Sequence, residues 1–268
     1  ITNGSGKIVD LNGCGGGIYC KNASPMINNS LIKGNKSIGT RQSTGIVGAG
    51  FGGGLYFIQS NSSVTNCSII DNEVSASVLF YAGQGSGGGI YCRDSSISFT
   101  GCNITNNHSI GASKKYTGER AIGGDGFGGG ISCYISTLDI RNCLIQLNSV
   151  VGGDGWGTGI YDPNGKGGDA QGGAIYGSNS TIYIEKSLIK NNNSFGGSGS
   201  SQDGQGVSGN GFGGGICCFN SSLILKNIII TDNDAIKGYG YNNTNDWPGW
   251  HGFDGASFGG AIYGGNNL

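Results

Sequence analysis

Apolar residues in this chain fall on alternate positions, in short bursts that recur along its length. Around Ile90, the residues Gly88, Ile90 and Cys92 share one side and Tyr91 takes the other; Ile97 and Phe99 follow, then Cys102 and Ile104. A period of two marks strands with one face on a core. The bursts therefore predict three short strands per unit, parted by polar turns such as Asn61-Ser62-Ser63 and Asn220-Ser221-Ser222. The middle strand has counterparts in Leu138 and Ile140, Ile182 and Ile184, and Leu223 and Leu225. No segment carries the 3.6-residue period of a helix, and abundant Gly and β-branched residues oppose one.

The bursts are tied to two motifs. The first, Gly-Gly-(Gly/Ala)-(Ile/Leu), places its aliphatic residue at Ile18, Leu55, Ile90, Ile131, Ile175, Ile216 and Ile262. The second, (Cys/Ser/Ile)-x-Ile-x-x-Asn, has its Ile at Ile32, Ile69, Ile104, Ile145, Ile189 and Ile230. The gap from the first to the second is 14 residues in all six units. The return leg to the next glycine motif varies: 23, 21, 27, 30, 27 and 32 residues. A rigid part of fixed length alternating with a loop of variable length describes the coils of a parallel β-helix. Like positions then stack about 4.8 Å apart along the axis. The expectation is an all-β chain, a single domain over 1–268, with about six and a half coils of three short strands. The Gly-rich loops all leave from one side, a common working face in repeat proteins. The Asn closing each third strand would form an axial ladder of Asn35, Asn72, Asn107, Asn148, Asn192 and Asn233. Asn amides can bond to one another along a stack, and Asn tolerates a left-handed corner.

Composition sharpens this picture. Gly accounts for 58 of 268 residues, against about 7% in ordinary proteins. The glycines keep register with Ile, Tyr and Cys, so they do not read as a disordered linker, and no Gly-X-Y period points to collagen. A formal charge of −1 provides no basic field for nucleic acid. Neither a polybasic run nor an apolar run approaching the roughly 20 residues of a membrane helix is present, so no membrane insertion is expected.

The paired motifs resemble the repeats of the chlamydial polymorphic membrane proteins, GGA(I/L/V) and FxxN. Gly172-Gly173-Ala174-Ile175 and Gly259-Gly260-Ala261-Ile262 fit the first, whereas Ile replaces Phe in every copy of the second. The resemblance spans nearly the whole chain. It implies the right-handed, single-stranded parallel β-helix of secreted surface proteins, a fold shared by adhesins, autotransporter passengers and structural proteins.

Candidate chemistry is sparse. The 16 acids are scattered one or two per unit, without the paired carboxylates of a polysaccharide hydrolase or an acid–His constellation. His108 and His251 fall in different repeats and read as polar loop residues. Gly123-Gly124-Asp125-Gly126 and Gly152-Gly153-Asp154-Gly155 resemble calcium-binding nonapeptides but lack their period and second Asp. No catalytic residue, metal site or cofactor is expected, and the chain reads as a non-enzyme. The loop aromatics Phe51, Phe127, Trp156, Phe212 and Phe258 either pin the loops to the body or form a sugar-binding strip. Of nine cysteines, Cys67, Cys102 and Cys143 share one inward column; Cys20, Cys92, Cys133 and Cys218 share another. They are small core hydrophobes or, in an oxidising compartment, disulfides such as Cys92–Cys102 and Cys133–Cys143.

Asn-x-Ser/Thr occurs 12 times. Stacking would shield Asn35, Asn107 and Asn192 but expose Asn28, Asn61, Asn103, Asn179, Asn220 and Asn242 as N-glycosylation acceptors in a secreted eukaryotic glycoprotein. The chain opens without Met, at what reads as the first strand of a coil, and stops after the first strand of another. It is expected to be a processed or partial chain, or a subunit whose open coils continue into a neighbour. The functional expectation is an extracellular or cell-surface structural or adhesive protein that self-associates end to end as a filament. The alternatives are a glycan- or host-binding adhesin passenger and, last, a polysaccharide lyase or hydrolase.

Overall fold

In a computed structural model the chain is described except for residues 43–46, 79–81, 117–120, 158–164, 202–205, 243–252 and 266–268. Every regular element among the described residues is a β-strand. Strands of successive repeats lie parallel and in register. Ile18, Leu55, Ile90, Ile131, Ile175, Ile216 and Ile262 are consecutive partners across one seven-stranded sheet. The middle strands stack through Ile97, Leu138, Ile182 and Leu223. The third strands stack through Ile32, Ile69, Ile104, Ile145, Ile189 and Ile230. The inward side chains of these three sheets make one continuous core, in which Ile69, Ile104 and Ile145 expose nothing. Each such side chain contributes about 1.5–3 kcal/mol by burial.

The repeat holds more than the three strands expected. Residues after each ladder Asn form a fourth strand, as in Glu73–Ser75, His108–Ile110 and Ser149–Val151. A two-residue strand precedes the glycine motif, as in Gly50–Phe51 and Gly126–Phe127. Four of the loops add another, Lys114–Tyr116, Gly155–Gly157, Gly199–Ser201 and Gly240–Asn242, which stack as their own sheet. The loops are therefore built arms, paired coil to coil, and not irregular excursions. Their backbone N–H and C=O groups need partners like any others, and the neighbouring loop supplies them.

Outgoing and returning arms meet at a neck where backbone bonds directly to backbone. Gly124 N donates to Ala112 O, Gly153 N to Gly124 O, Gly168 N to Gly153 O, Gly197 N to Gly168 O and Gly209 N to Gly197 O, all at 2.8–2.9 Å. The returning arm carries Gly at all six neck positions: Gly48, Gly83, Gly124, Gly168, Gly209 and Gly255. A Cβ on any of them would stand against a backbone carbonyl of the preceding coil.

The three positions of the glycine motif have three different causes. The first is left-handed, as at Gly87 with φ 71°, a conformation open to Gly without cost. The second lies against the fourth strand: a Cβ on Gly88 would sit 2.5 Å from the carbonyl of His108. The third faces the next coil's carbonyl and the asparagine ladder: a Cβ on Gly89 would lie 2.8 Å from Gly130 O and 3.0 Å from Asn107 Cγ. That last contact is tight but adjustable, and Ala174 and Ala261 occupy the same position.

Three sequence expectations change here. Tyr91 was expected on the outer face; it is only 5% exposed. It belongs to a second, aromatic cluster outside the main core, stacked on Tyr56 at 5.2 Å and against Phe51 at 4.8 Å. Phe127, Phe212 and Phe258 continue this cluster along the axis, whereas Trp156 lies on a loop strand. The left-handed residue at the third-strand corner is not the ladder Asn but the one before it: Gly34, Asp71, Asn106, Leu147, Asn191 and Asp232, with φ from 53° to 65°. The reversal is thus made by one residue and the amide ladder by the next. Finally, the chain does not open at a first strand. Ile1 O accepts from Asn35 Nδ2, Thr2 bridges Lys33 in parallel, and Gly4 N donates to Asn35 Oδ1. Residues 1–4 thus hold the place of a third strand, with Gly4 where later coils have Asn.

Candidate functional site

Three sets of side chains stand out: the axial ladders, the outward surface with its sequons, and the thiol columns. The asparagine ladder is continuous. Nδ2 of Asn35, Asn72, Asn107, Asn148 and Asn192 donates to Oδ1 of the next Asn at 2.8–2.9 Å. That same oxygen also accepts the backbone N–H of the preceding ladder residue, at 3.0–3.1 Å. The second amide hydrogen goes back one coil, as from Asn107 to Ile69 O at 3.0 Å. Asn35, Asn72, Asn107, Asn148 and Asn192 are wholly buried, and Asn233 is 7% exposed. Such a network stabilises because every member is satisfied.

Two further ladders were not read from the sequence. At the corner before the middle strand, the N–H of Ser60, Ser95, Ser136 and Ser180 donates to Oγ of Ser95, Ser136, Ser180 and Ser221 in turn, at 3.0–3.2 Å. The cysteine corner follows the same rule. Cys102 N donates to Cys143 Sγ at 3.4 Å and Cys143 N to Ser187 Oγ at 3.1 Å. Cys143 Sγ and Ser187 Oγ each also bond the carbonyl two residues back. This explains the alternation of Ser and Cys in the second motif: both are small and both carry an atom that can accept the next coil's N–H. The third ladder lies at the neck, where Asp125 Oδ1 accepts Asp169 N, Asp169 Oδ1 accepts Asn210 N, and Asn210 Oδ1 accepts Ala256 N, at 2.7–2.8 Å. Asp154 Oδ1 likewise accepts Ser198 N at 2.7 Å. The Gly-Gly-Asp-Gly stretches are thus corner locks. Burial pushes the Asp125 carboxyl up, against its hydrogen bond from Asp169 N, and the nearby Asp169 carboxyl adds to the rise.

Among the described residues no group of three or more His, Cys, Asp and Glu is placed to hold a metal, and no helix is long and apolar enough to cross a membrane. His108 lies in a strand, with Nδ1 2.7 Å from Ser149 Oγ; burial lowers its pKa. His251 lies outside the described residues. The outer face of the middle sheet carries a charged network: Arg141 Nε is 2.9 Å from Asp139, its guanidinium also pairs with Glu185, and it lies 4.7 Å over the Tyr183 ring.

Of the candidate acceptors, Asn28, Asn61, Asn179 and Asn220 are exposed. Asn103 is half-buried on the outer face and accepts a hydrogen bond from Thr105 Oγ1. Asn242 closes the strand Gly240–Asn242, but its side chain lies outside the described residues. Three exposed sequon residues were missed, Asn3, Asn22 and Asn66, all left-handed with φ 55°, 53° and 51°. Trp156, 40% exposed, lines a shallow pocket with Ser113, Lys114 and Asp154.

All nine cysteines are buried free thiols, so the in-coil bonds Cys92–Cys102 and Cys133–Cys143 are absent. The reason is positional: the nearest like side chain to a stacked residue is the one above or below it. Cys92 pairs in register with Cys133, and burial pushes Cys133 up to about 12 and Cys218 to about 11, as expected of inert core thiols. Gly177 lies between Cys133 and Cys218 in this column, and Ile182 Cδ1 occupies the space left. No family model matches this chain, and no curated protein or solved structure is significantly similar to it.

Proposed function

We propose that this chain is a non-enzymatic structural or adhesive protein of the cell exterior, built as a right-handed, single-stranded parallel β-helix of about six and a half coils. The observation that carries this reading is the continuous axial ladder from Asn35 to Asn233. A chain whose buried polar groups form coil-to-coil locks, and which among the described residues gathers no cluster of three or more His, Cys, Asp and Glu, is suited to bearing load and displaying a surface. Its exterior placement is supported by the sorting of sequons, with Asn28, Asn61, Asn179 and Asn220 exposed. Mass spectrometry of native material should find glycans there and none on Asn35, Asn107 or Asn192. Unmodified peptides throughout would remove the glycoprotein reading.

End-to-end self-association is part of the proposal. Each coil face repeats the hydrogen-bond pattern of the one below, so the best-matched surface for a coil is another coil of the same chain, and such contacts do not close. Negative-stain microscopy of native material tests it; monodisperse particles at every concentration would sink it. A second reading, glycan adhesion by the loop face, is favoured by one observation: the exposed Trp156 beside Lys114 and Asp154. An indole face with flanking charged groups suits a sugar ring. Glycan-array binding that is lost in Trp156→Ala would establish it, and a blank array would leave a purely structural role.

A further inference from the structure

The outward column of the fourth strands gathers unlike polar groups. Lys36, Glu73, His108, Ser149, Asn193 and Asp234 are consecutive register partners there, one from each coil. Stacking thus brings a carboxylate, an imidazole and a hydroxyl together from three coils, although His108 and Ser149 are 41 residues apart in sequence. Their contact is close: His108 Nδ1 lies 2.7 Å from Ser149 Oγ. Both residues are half-buried on the outer face, within reach of reagents in solvent. Glu73 stands on the other side of His108 and is itself paired with Lys36 at 3.3 Å. The corner serines differ. Ser95, Ser136 and Ser180 give their hydroxyl protons to carbonyls two residues back, and a carbonyl is too weak a base to activate an oxygen.

We infer that Ser149 is a covalent acylation site, with His108 as its general base and small activated esters as acyl donors. With Nδ1 as the acceptor, the Ser149 hydroxyl donates and the imidazole carries its own proton on Nε2. Burial holds His108 below its ordinary pKa, so the ring is neutral and able to accept a proton at neutral pH. The Glu73 and Asp71 charges oppose that shift and favour the imidazolium that forms during attack. Ser149 Oγ attacks the carbonyl carbon of the ester while its proton passes to Nδ1. A C–O bond to Ser149 forms and the bond to the leaving oxygen breaks. The leaving group departs with the electron pair of that bond and takes up the proton from His108. The product is an ester of an alkyl alcohol, a poorer leaving group than an aryloxide, so the acyl group stays and the reaction is stoichiometric. The inference goes beyond the structural and adhesive reading without resting on it: a solenoid that accepts an acyl group can be joined covalently to a donor at its surface.

The purified full chain, incubated with p-nitrophenyl acetate and digested, tests the site by peptide mass spectrometry. The expected result is an acetyl group on Ser149, appearing well before any on the exposed Ser96 of the middle sheet. General bases contribute about 10²–10⁴ in rate, so His108→Asn should slow acetylation of Ser149 about a hundredfold. Asn already stands in this column at Asn193, and an unchanged thermal midpoint separates lost chemistry from lost fold. Glu73→Gln should slow the reaction less, and Glu73→Asp, which restores the charge, should restore the rate. Acetylation of Ser149 no faster than that of Ser96, or unchanged in a folded His108→Asn chain, would overturn the inference. Should that variant unfold, the ratio of Ser149 to Ser96 in the parent still decides.

Discussion

The body of the coil and the neck of its loops solve one stacking problem by opposite means. In the body, each column is filled by side chains, and the column absorbs variation. Cys20, Phe57, Cys92, Cys133, Gly177 and Cys218 succeed one another at one inward position, because neighbours such as Ile182 shift to fill the gap. At the neck, backbone lies on backbone, and the returning arm is Gly at every coil. What faces these glycines is backbone and not a side chain that could adjust, so a single methyl has nowhere to go. Tolerance in a repeat stack therefore follows from what fills the space between coils. Packing by side chains is forgiving, while polar ladders and backbone contacts are not.

The largest effect should come from breaking a ladder. Asn107→Ala leaves Asn72 N and an amide hydrogen of Asn72 without partners in a wholly buried site, and takes from Ile69 O its side-chain donor. At about 1–3 kcal/mol for each orphaned group, a loss of about 3–5 kcal/mol is expected by urea denaturation. Asn103→Ala, four residues earlier on the outer face, should stay within about 0.5 kcal/mol. Equal losses for the two would show that the ladder does not carry the stack.

Next comes one substitution made in the two regions. Gly168→Ala places a methyl against the backbone of Gly124, and Gly177→Ala places one against the movable Cδ1 of Ile182. Overpacking of a rigid site costs about 1–3 kcal/mol; the core site should change by less than about 1 kcal/mol. Thermal midpoints of the two variants, measured side by side, decide between backbone and side-chain packing as the cause of the glycine pattern.

A smaller effect, of opposite sign, is expected at a body corner. Ile135 is left-handed at φ 48° and 58% exposed, where Gln59, Asp94, Asn179 and Asn220 stand in other coils. Since a β-branched residue there costs about 1–2 kcal/mol, Ile135→Asn should raise the thermal midpoint. This corner also marks the limit of what the sequence revealed. The alternation, the fixed gap and the recurring Asn made the strands, the register and the asparagine ladder legible, because each depends on residues at constant spacing. The serine ladder was hidden, since Ser in a turn reads as ordinary polar filler. The direction of the cysteine contacts was missed because pairing was sought within a coil, whereas stacking makes the axial neighbour nearest. The neck was invisible because its partners, such as Gly153 and Gly168, are separated by a loop of changing length.

The subtlest test returns to the neck and depends on pH. Asp125 and Asn210, two coils apart in the same ladder, do the same work, each accepting an N–H from the next coil through Oδ1. Of the two only Asp125 carries a charge, and burial raises its pKa above its ordinary value. A carboxyl whose folded pKa is raised holds its proton more tightly folded than unfolded. Its favourable contribution is present at pH values below the unfolded pKa and is lost as pH rises through the folded one. Asp125→Asn keeps the acceptor and removes the buried charge, so the variant should be more stable than the parent at neutral pH. The advantage should shrink as pH falls and vanish once the parent carboxyl is protonated in both states. Thermal midpoints across that range give the sign directly. A variant less stable than its parent at neutral pH would mean that the charge itself, through Lys166, holds the arms together.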